Sequence, residues 1–377
     1  MRLVTRQLVR QSALTGLACL LCFCACTAPA PECDNFCLPL DEELADLGDY
    51  FETLHTLALE EAVGAVNDRI EQVLTIKDAT ERAARLAELQ HPDTLAGALA
   101  DRFTHPYLES SLMEQALKVR QTRKQFPGQK TSHADIWMNF SAHIPLEPRQ
   151  VMMLFQSSTI KVFGVYFGTD KFIHFHHLGW TYYRSYRGFL NEGCDAEEAY
   201  RRVIQRYTRE AFLAESLWFG TMTTGVYSNA DLAANHLGFK FFLNLTEPVV
   251  LKGREQPPLA VQCGVFWRLS PHVRPRSGWF AAYVSDHWNE ALNPSLYDAS
   301  MRPGIRRVLQ SRAERIVQFY TGKDGRPNDP AYFDQLAHEL STYHGEPYGH
   351  SGQFEKLMTI GNTCMPEVVA LNAVSAD

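Results

Sequence analysis

The chain has 377 residues, with 36 lysines and arginines against 43 aspartates and glutamates, so its formal net charge is −7. This acidic balance argues against a nucleic-acid-binding protein, because such proteins gain affinity from Lys and Arg that neutralise phosphates. The length exceeds the usual size of one domain, which predicts one large domain or two closely packed ones.

Residues 1–25 have the pattern of an export signal. Three arginines precede a short apolar stretch at 13–25, which is too short to span a bilayer comfortably. Removal of this segment takes away Arg2, Arg6 and Arg10 and no acidic residue, so the formal net charge changes from −7 to −10. A body this acidic argues against a polybasic hold on anionic lipid.

The end of this segment resembles a bacterial lipoprotein signal, because a small residue precedes Cys26 and a Thr-Ala-Pro-Ala-Pro stretch follows it. The resemblance implies a lipid on Cys26, a tether at 26–39 and a cell-envelope protein that faces the periplasm. Thr27 is not Asp, which favours the outer membrane. Phe23 stands where Leu is usual, so Cys24 or Cys22 is an alternative acceptor, and plain secretion is the other interpretation. The expected partners are the membrane, through the lipid, and an envelope protein, lipid or glycan, but no nucleic acid.

The rest of the chain predicts a mainly α fold, a globular bundle of many helices. Apolar residues recur every three or four positions in an N-terminal helical region at 40–126, where helices are expected over 40–90 and 109–124. A helical core follows at 127–245. Short β-branched and aromatic runs broken by Pro and Gly then predict a small β-hairpin or extended flap at 246–285. A C-terminal helical region at 286–366, with helices at about 302–320 and 329–342, precedes a tail at 367–377.

A run of histidines in GTDKFIHFHHLGW gives the first candidate site. Asp170, His174 and His177 are spaced i, i+4 and i+7, which places them on one face of an α-helix. Imidazole and carboxylate groups on one face are ligands of first-row metals. His176 points away from this face and is expected to meet another layer. The alternative is a structural one, in which Asp170 suits the first turn of a helix and the histidines pair with nearby polar groups.

Two later segments supply more polar groups for the same core. Glu215 lies in an apolar helical stretch, and a buried carboxylate there needs a partner. Ser228 and Asp231 fit a capping box at the start of another helix. Asn235 and Gly238 then fall on the face of Asp231, and Gly238 permits a close approach of helices.

These three segments together resemble the VanZ-like proteins and related small bacterial envelope lipoproteins. The matching residues are Asp170, Lys171, His174, Phe175, Glu215, Ser228, Asp231, Leu232, Asn235 and Gly238. The resemblance covers residues 168–242 and implies a polar cluster in a helical core, with Asp170, Lys171, His174, Glu215, Ser228, Asp231 and Asn235 as ligand-binding residues. VanZ-like proteins are membrane-embedded, whereas arginines interrupt these segments here, so lipid-exposed spans and a resistance function are not implied.

Two other stretches compete as sites. Asp286, Glu290 and Asn293 share a face if SDHWNEALNPS forms a helix. The structural alternative is that this stretch is an ordinary helix start. His344 and His350 lie in a Gly-rich stretch and are expected to be exposed turn residues. No G-x-S-x-G, P-loop or H-E-x-x-H motif is present in the sequence. The main sequence evidence for a serine hydrolase, a P-loop nucleotide-binding protein or a zinc protease is therefore missing.

Three functions fit these patterns. The first is an envelope lipoprotein whose polar cluster is structural or binds a ligand. The second is a metal-assisted hydrolase of a lipid, phosphate ester or cell-wall component, in which His174, His177 and Asp170 or Asp231 hold a divalent metal. Glu215 would be its general base, and Glu215 and His174 its candidate catalytic residues. The third is a scaffold protein that acts through the N-terminal helices.

Overall fold

The computed structural model describes residues 44–103, 159–210, 226–299, 302–322 and 325–365. The expectations for the export signal, for Cys26 and its tether, for the helix at 109–124, for Glu215 and for the tail therefore lie outside the described residues.

Helices dominate the described residues, which confirms the mainly α fold. The α-helices are α1 (Gly48–Leu74), α2 (Ala79–Leu89), α3 (Pro92–Phe103), α4 (Asp170–Ile173), α5 (Gly179–Asn191), α6 (Ala196–Gln205), α7 (Asn229–Leu243), α8 (Arg302–Ser311), α9 (Ala313–Tyr320), α10 (Pro330–Glu339) and α11 (Ile360–Cys364). Two π-helical segments, His174–Leu178 and Arg206–Glu210, follow α4 and α6, and three 3₁₀ turns are Phe280–Ala282, Asp286–Trp288 and Phe354–Lys356.

Within the described ranges, the strands form four antiparallel pairs. They are β1 (Thr159–Val162) with β2 (Val165–Gly168), β3 (Val226–Tyr227) with β8 (Leu296–Tyr297), β4 (Val249–Leu251) with β5 (Arg254–Gln256), and β6 (Ala260–Cys263) with β7 (Phe266–Leu269). The last two pairs lie within 246–285, where a hairpin or flap is expected, and they confirm it as two hairpins. The short β3–β8 pair joins distant parts of the chain.

The N-terminal helices form as the apolar spacing predicts, but with a break. The predicted helix over 40–90 ends at Leu74, and α2 begins at Ala79, because the Asp78 side chain accepts a hydrogen bond from Glu81 N and caps a new helix. Phe51, Ala58 and Ala62 are buried on one face of α1, which packs against α3 and the β6–β7 hairpin.

Helix α4, the π segment 174–178 and helix α5 follow one another without a break and form one long helix. This helix packs along α7, and glycines make the contact close. A Cβ atom on Gly238 would overlap the carbonyl oxygen of Phe175, and one on Gly179 would lie 2.5 Å from the carbonyl carbon of Gly238. The expectation that Gly238 permits close approach is thus confirmed.

Two apolar cores among the described residues support these layers. The larger one includes side chains of α1, α3, α5 and α7 with Trp279, Phe280 and Trp288, and the smaller one joins α8 to α11. No helix in the described ranges is both long enough and apolar enough to cross a membrane.

Candidate functional site

A buried lysine lies at the centre of the polar residues that the sequence singles out. The Nζ atom of Lys171 is 2.6 Å from Asp170 Oδ2, 2.5 Å from Asp231 Oδ1 and 2.6 Å from Glu290 Oε1. The Lys171 side chain has no exposed surface. A buried ammonium is stable only when it is paired and hydrogen-bonded, and three carboxylates meet that need here.

Separate elements bring these groups together. Asp170 and Lys171 begin α4, Asp231 lies in the first turn of α7, and Glu290 follows the 3₁₀ turn Asp286–Trp288. Ser228 caps α7, since its Oγ accepts a hydrogen bond from Asp231 N at 3.1 Å and also contacts Glu290 Oε1 at 3.4 Å. The predicted capping role of Ser228 is confirmed.

His174 joins Asp231 to Asn235. Its Nδ1 donates to Asn235 Oδ1 at 3.0 Å, and its Nε2 lies 3.3 Å from Asp231 Oδ2. The sequence therefore predicted correctly that His174 and Asp231 meet, although they are 57 positions apart in the numbering. We call the whole set the Lys171 cluster: Asp170, Lys171, His174, Ser228, Asp231, Asn235 and Glu290.

Burial controls the electrostatics of this cluster. Burial raises the pKa of Asp170 to about 7, against the opposing ammonium of Lys171 and together with repulsion from Asp231. Burial also opposes ionisation of Asp231, but His174 and Lys171 outweigh it and hold the pKa of Asp231 below its usual value. Burial lowers the pKa of His174, against the attraction of the Asp231 carboxylate.

Three members of the cluster could hold a metal ion. One ligand atom from each of Asp170, His174 and Asp231 lies within 4.8 Å of the other two. All members of the cluster are at most 4% exposed, so a substrate does not reach them in this conformation. The arrangement can bind a cation, but it offers no open position for a substrate.

His177 does not join this group, and the expectation of a shared i, i+4, i+7 face is wrong. The π segment begins at His174 and has more residues per turn than an α-helix, which rotates His177 away from Asp170. The imidazole of His177 instead interacts with the backbone of Phe103.

His176 faces another layer, as the sequence predicts. Its Nε2 lies 3.0 Å from Nε2 of His55 in α1, and its ring stacks on Phe103. His55 is a buried polar residue that the sequence reasoning missed, because its position on the apolar face of α1 is its only signal.

The sequence predicts the wrong local structure and the wrong neighbours for Glu290. The helix expected through Asp286, Glu290 and Asn293 is only a three-residue 3₁₀ turn, so these side chains do not share a face. Asp286 pairs with Arg326 at 2.7 Å, and Asn293 donates to the carbonyl of His287 at 2.9 Å, while Glu290 turns into the Lys171 cluster.

A surface cleft of about 1030 Å³ lies between α6, the β3–β8 pair, α8 and the loop at 347–353. Its described lining includes the cations Arg201, Arg302 and Lys356, the acids Glu197 and Asp298, the tyrosines Tyr200, Tyr227 and Tyr297, and His350 and Ser351. Within the described residues, Arg302 Nε, His350 Nε2 and Ser351 Oγ are buried atoms without a hydrogen-bond partner.

His350 is therefore not the exposed turn residue that the sequence predicts. It stacks on Phe354, and burial lowers its pKa to about 4, so it is neutral at pH 7. His344 is exposed, as expected. The cleft could not be predicted from the sequence, because its described lining residues come from four distant segments.

The cleft and the Lys171 cluster share a wall. Tyr227 lines the cleft, the next residue, Ser228, contacts the cluster, and Asn229 Oδ1 accepts a hydrogen bond from Ser351 N at 2.9 Å. The start of α7 therefore lies between the cleft and the buried charges.

Comparison of the chain with protein-family models, with curated proteins and with solved structures finds no match.

Proposed function

We propose that the chain is a lipid-anchored cell-envelope protein that binds a ligand with a phosphate or carboxylate group in the cleft. The observation that carries this proposal is the set of buried polar atoms without a hydrogen-bond partner on residues that line the cleft, above all Nε of Arg302. In this proposal the Lys171 cluster is structural, and the ligand is a lipid headgroup or a glycan of the envelope.

The charge of the cleft favours an anionic ligand. Its described lining contains three cationic side chains and two carboxylates, whereas the whole chain is acidic; Arg201 is paired with Glu198, so Arg302 and Lys356 are the cations that matter most here. Arginine binds phosphate and carboxylate groups through paired N–H donors, and His350 and Ser351 can add hydrogen bonds beside it. A concave site with a few convergent polar groups is the usual form of a ligand-binding site.

Burial argues against turnover at the Lys171 cluster. A metal-assisted hydrolase needs water and substrate at the metal, but His174 is 2% exposed and Asp231 is 1% exposed. The ammonium of Lys171 also occupies the point where three carboxylates converge, which leaves that point closed to a reacting group. The geometry therefore favours binding in the cleft over hydrolysis in the core.

Isothermal titration calorimetry on the full-length chain in detergent tests this function. The probes are glycerol 3-phosphate for a lipid headgroup, N-acetylglucosamine 1-phosphate for a glycan, and N-acetylglucosamine as a neutral control. We expect at least one phosphate probe to bind and the neutral sugar to bind more weakly. Arg302→Gln should weaken binding about tenfold, the loss expected for one charge-assisted hydrogen bond.

The matched control is Arg307→Gln, since Arg307 is an exposed arginine of the same helix and is not among the described lining of the cleft. This variant should bind the phosphate probe as the natural chain does. Equal binding by the Arg302→Gln and natural chains, or no binding of either phosphate probe, would contradict the proposal.

A further inference from the structure

We infer that the Lys171 cluster holds a divalent first-row transition-metal ion, ligated by Asp170 Oδ1, His174 Nε2 and Asp231 Oδ2. This site is separate from the cleft, and the inference does not depend on the ligand proposed there. The role assigned to the ion is structural: it joins α4 and the π segment to the start of α7.

Asp170 and Asp231 each direct one carboxylate oxygen at Lys171 and leave the other oxygen away from it. Asp170 gives Oδ2 to the ammonium of Lys171, and Asp231 gives Oδ1 to it. Their other oxygens lie toward His174 or remain unused: Asp231 Oδ2 is 3.3 Å from His174 Nε2, and Asp170 Oδ1 has no hydrogen-bond partner within the described residues. The side chain of Asp170 is 1% exposed, so water does not satisfy that oxygen from the surface.

The orientation of His174 is that of a metal ligand. Asn235 Oδ1 can only accept a hydrogen bond, so Nδ1 of His174 carries a proton, and Nε2 is the nitrogen that lies against Asp231 Oδ2. When the ring carries this one proton, Nε2 has a lone pair directed at the carboxylate oxygen, and two acceptors in contact repel each other. A cation between them removes the repulsion, and a ring held by a hydrogen bond at its other nitrogen is typical of metal-binding histidines.

A bound cation would also relieve the repulsion between the buried carboxylates. Oxygens of Asp170, Asp231 and Glu290 all approach the ammonium of Lys171. Carboxylates that crowd together in a buried site are costly, so a dication bound by Asp170 and Asp231 would stabilise the fold.

The donor atoms select the kind of ion. One imidazole nitrogen with two carboxylate oxygens suits zinc, manganese or iron, whereas magnesium and calcium prefer oxygen ligands alone. Because the ligands come from helices that are far apart in sequence and the site is closed to solvent, the ion would bind as the protein folds.

Metal analysis of the full-length chain, purified without a chelator, is the first test. Inductively coupled plasma mass spectrometry should find about one transition-metal ion per chain, as for a closed structural site. His174→Gln and Asp170→Asn should each lose most of this metal. The matched control is His177→Gln, a histidine only three positions from His174 but outside the group, and it should keep its metal.

A second measurement does not depend on the variants. The natural chain is unfolded with a chelator present and refolded with or without Co²⁺ or Zn²⁺. We expect visible absorption bands from bound Co²⁺, and a thermal midpoint about 5 °C or more higher with Zn²⁺, since a ligand that binds only the folded state stabilises it. A metal-free purified protein with no Co²⁺ bands and an unchanged midpoint would overturn the inference, as would equal metal loss in His177→Gln.

Discussion

At the scale of single residues, the histidine pair of the main core shows how burial fixes a protonation state. His55 Nδ1 donates to the carbonyl oxygen of Phe51 at 2.7 Å, so His55 Nε2 carries the lone pair and accepts from His176 Nε2 at 3.0 Å. Rings of Phe280 and Phe103 stack on the two imidazoles at 3.7 and 4.0 Å. Both histidines are therefore neutral, each with one proton, in an apolar layer.

This pair predicts a loss of stability in mild acid. Burial lowers the pKa of His55 from 6.5 to about 3, so between these values the unfolded chain binds a proton that the folded chain excludes. Folding is then favoured fully above pH 6.5 and less as the pH falls. His55 should account for about 2 kcal/mol of lost free energy of unfolding between pH 7 and pH 5.

Chemical denaturation at the two pH values checks this prediction. In His55→Phe, the difference in free energy of unfolding between pH 7 and pH 5 should shrink by about 2 kcal/mol, whatever the variant loses at pH 7. His91→Gln removes an exposed histidine that pairs with Asp93, and it should change the difference less than His55→Phe does. An unaltered difference in His55→Phe would show that His55 is protonated in the folded chain.

At the scale of elements, the contact of α7 with the interrupted helix α4–α5 determines the site. The π segment 174–178 points His174 toward α7 and His176 toward α1, and its backbone lies against Gly238. Because α7 can approach only where it has no Cβ atom, the distance between His174 and Asp231 depends on this glycine.

A methyl group at this contact should separate the two helices. Gly238→Ala would place a carbon atom on the carbonyl group of Phe175, and backbone atoms cannot move aside as a flexible side chain can, so we expect a loss of about 3 kcal/mol in the free energy of unfolding. Gly64→Ala is the matched control. Gly64 also lies inside a helix, but its Cβ would meet nothing within 4 Å, so this change should stabilise the chain by about 0.5–1 kcal/mol.

Thermal or denaturant unfolding of both variants distinguishes packing from helix propensity. If alanine at 238 stabilised the chain as alanine at 64 does, the close contact of α7 with the π segment would be wrong.

The sequence predicted elements better than it predicted contacts between them. Regular spacing predicted α1, the capping box predicted the start of α7, and β-branched and aromatic runs predicted the flap. That His174 lies near Asp231 and Asn235 was implied by the resemblance and not by spacing. The π segment could not be predicted, since it arises from packing against α7, and His177 was misplaced for that reason. Glu290 and the cleft depend on loops whose positions are set by tertiary contacts alone.

At the scale of the whole molecule, the net charge limits how the chain could attach to a membrane. The chain has a formal net charge of −7, and loss of the three arginines before residue 25 would change it to −10. Anionic lipid surfaces repel a body of that charge, so we do not expect the folded part to hold the membrane electrostatically. In the proposed function, the attachment then depends on a lipid at Cys26.

This dependence gives a direct test by cell fractionation with labelled palmitate. The natural chain should carry the label and stay with the membranes in about 1 M salt, which screens charge interactions but does not extract an acyl chain. Cys26→Ser should lose both the label and the membrane attachment, whereas Cys24→Ser and Cys22→Ser, which change neighbouring thiols in the same segment, should keep both. Loss of the label in Cys24→Ser or Cys22→Ser alone would move the acceptor to that cysteine. A natural chain that carries no label, or that salt releases from the membrane, would contradict lipid anchoring itself, because an acyl chain carries the label and resists extraction by salt.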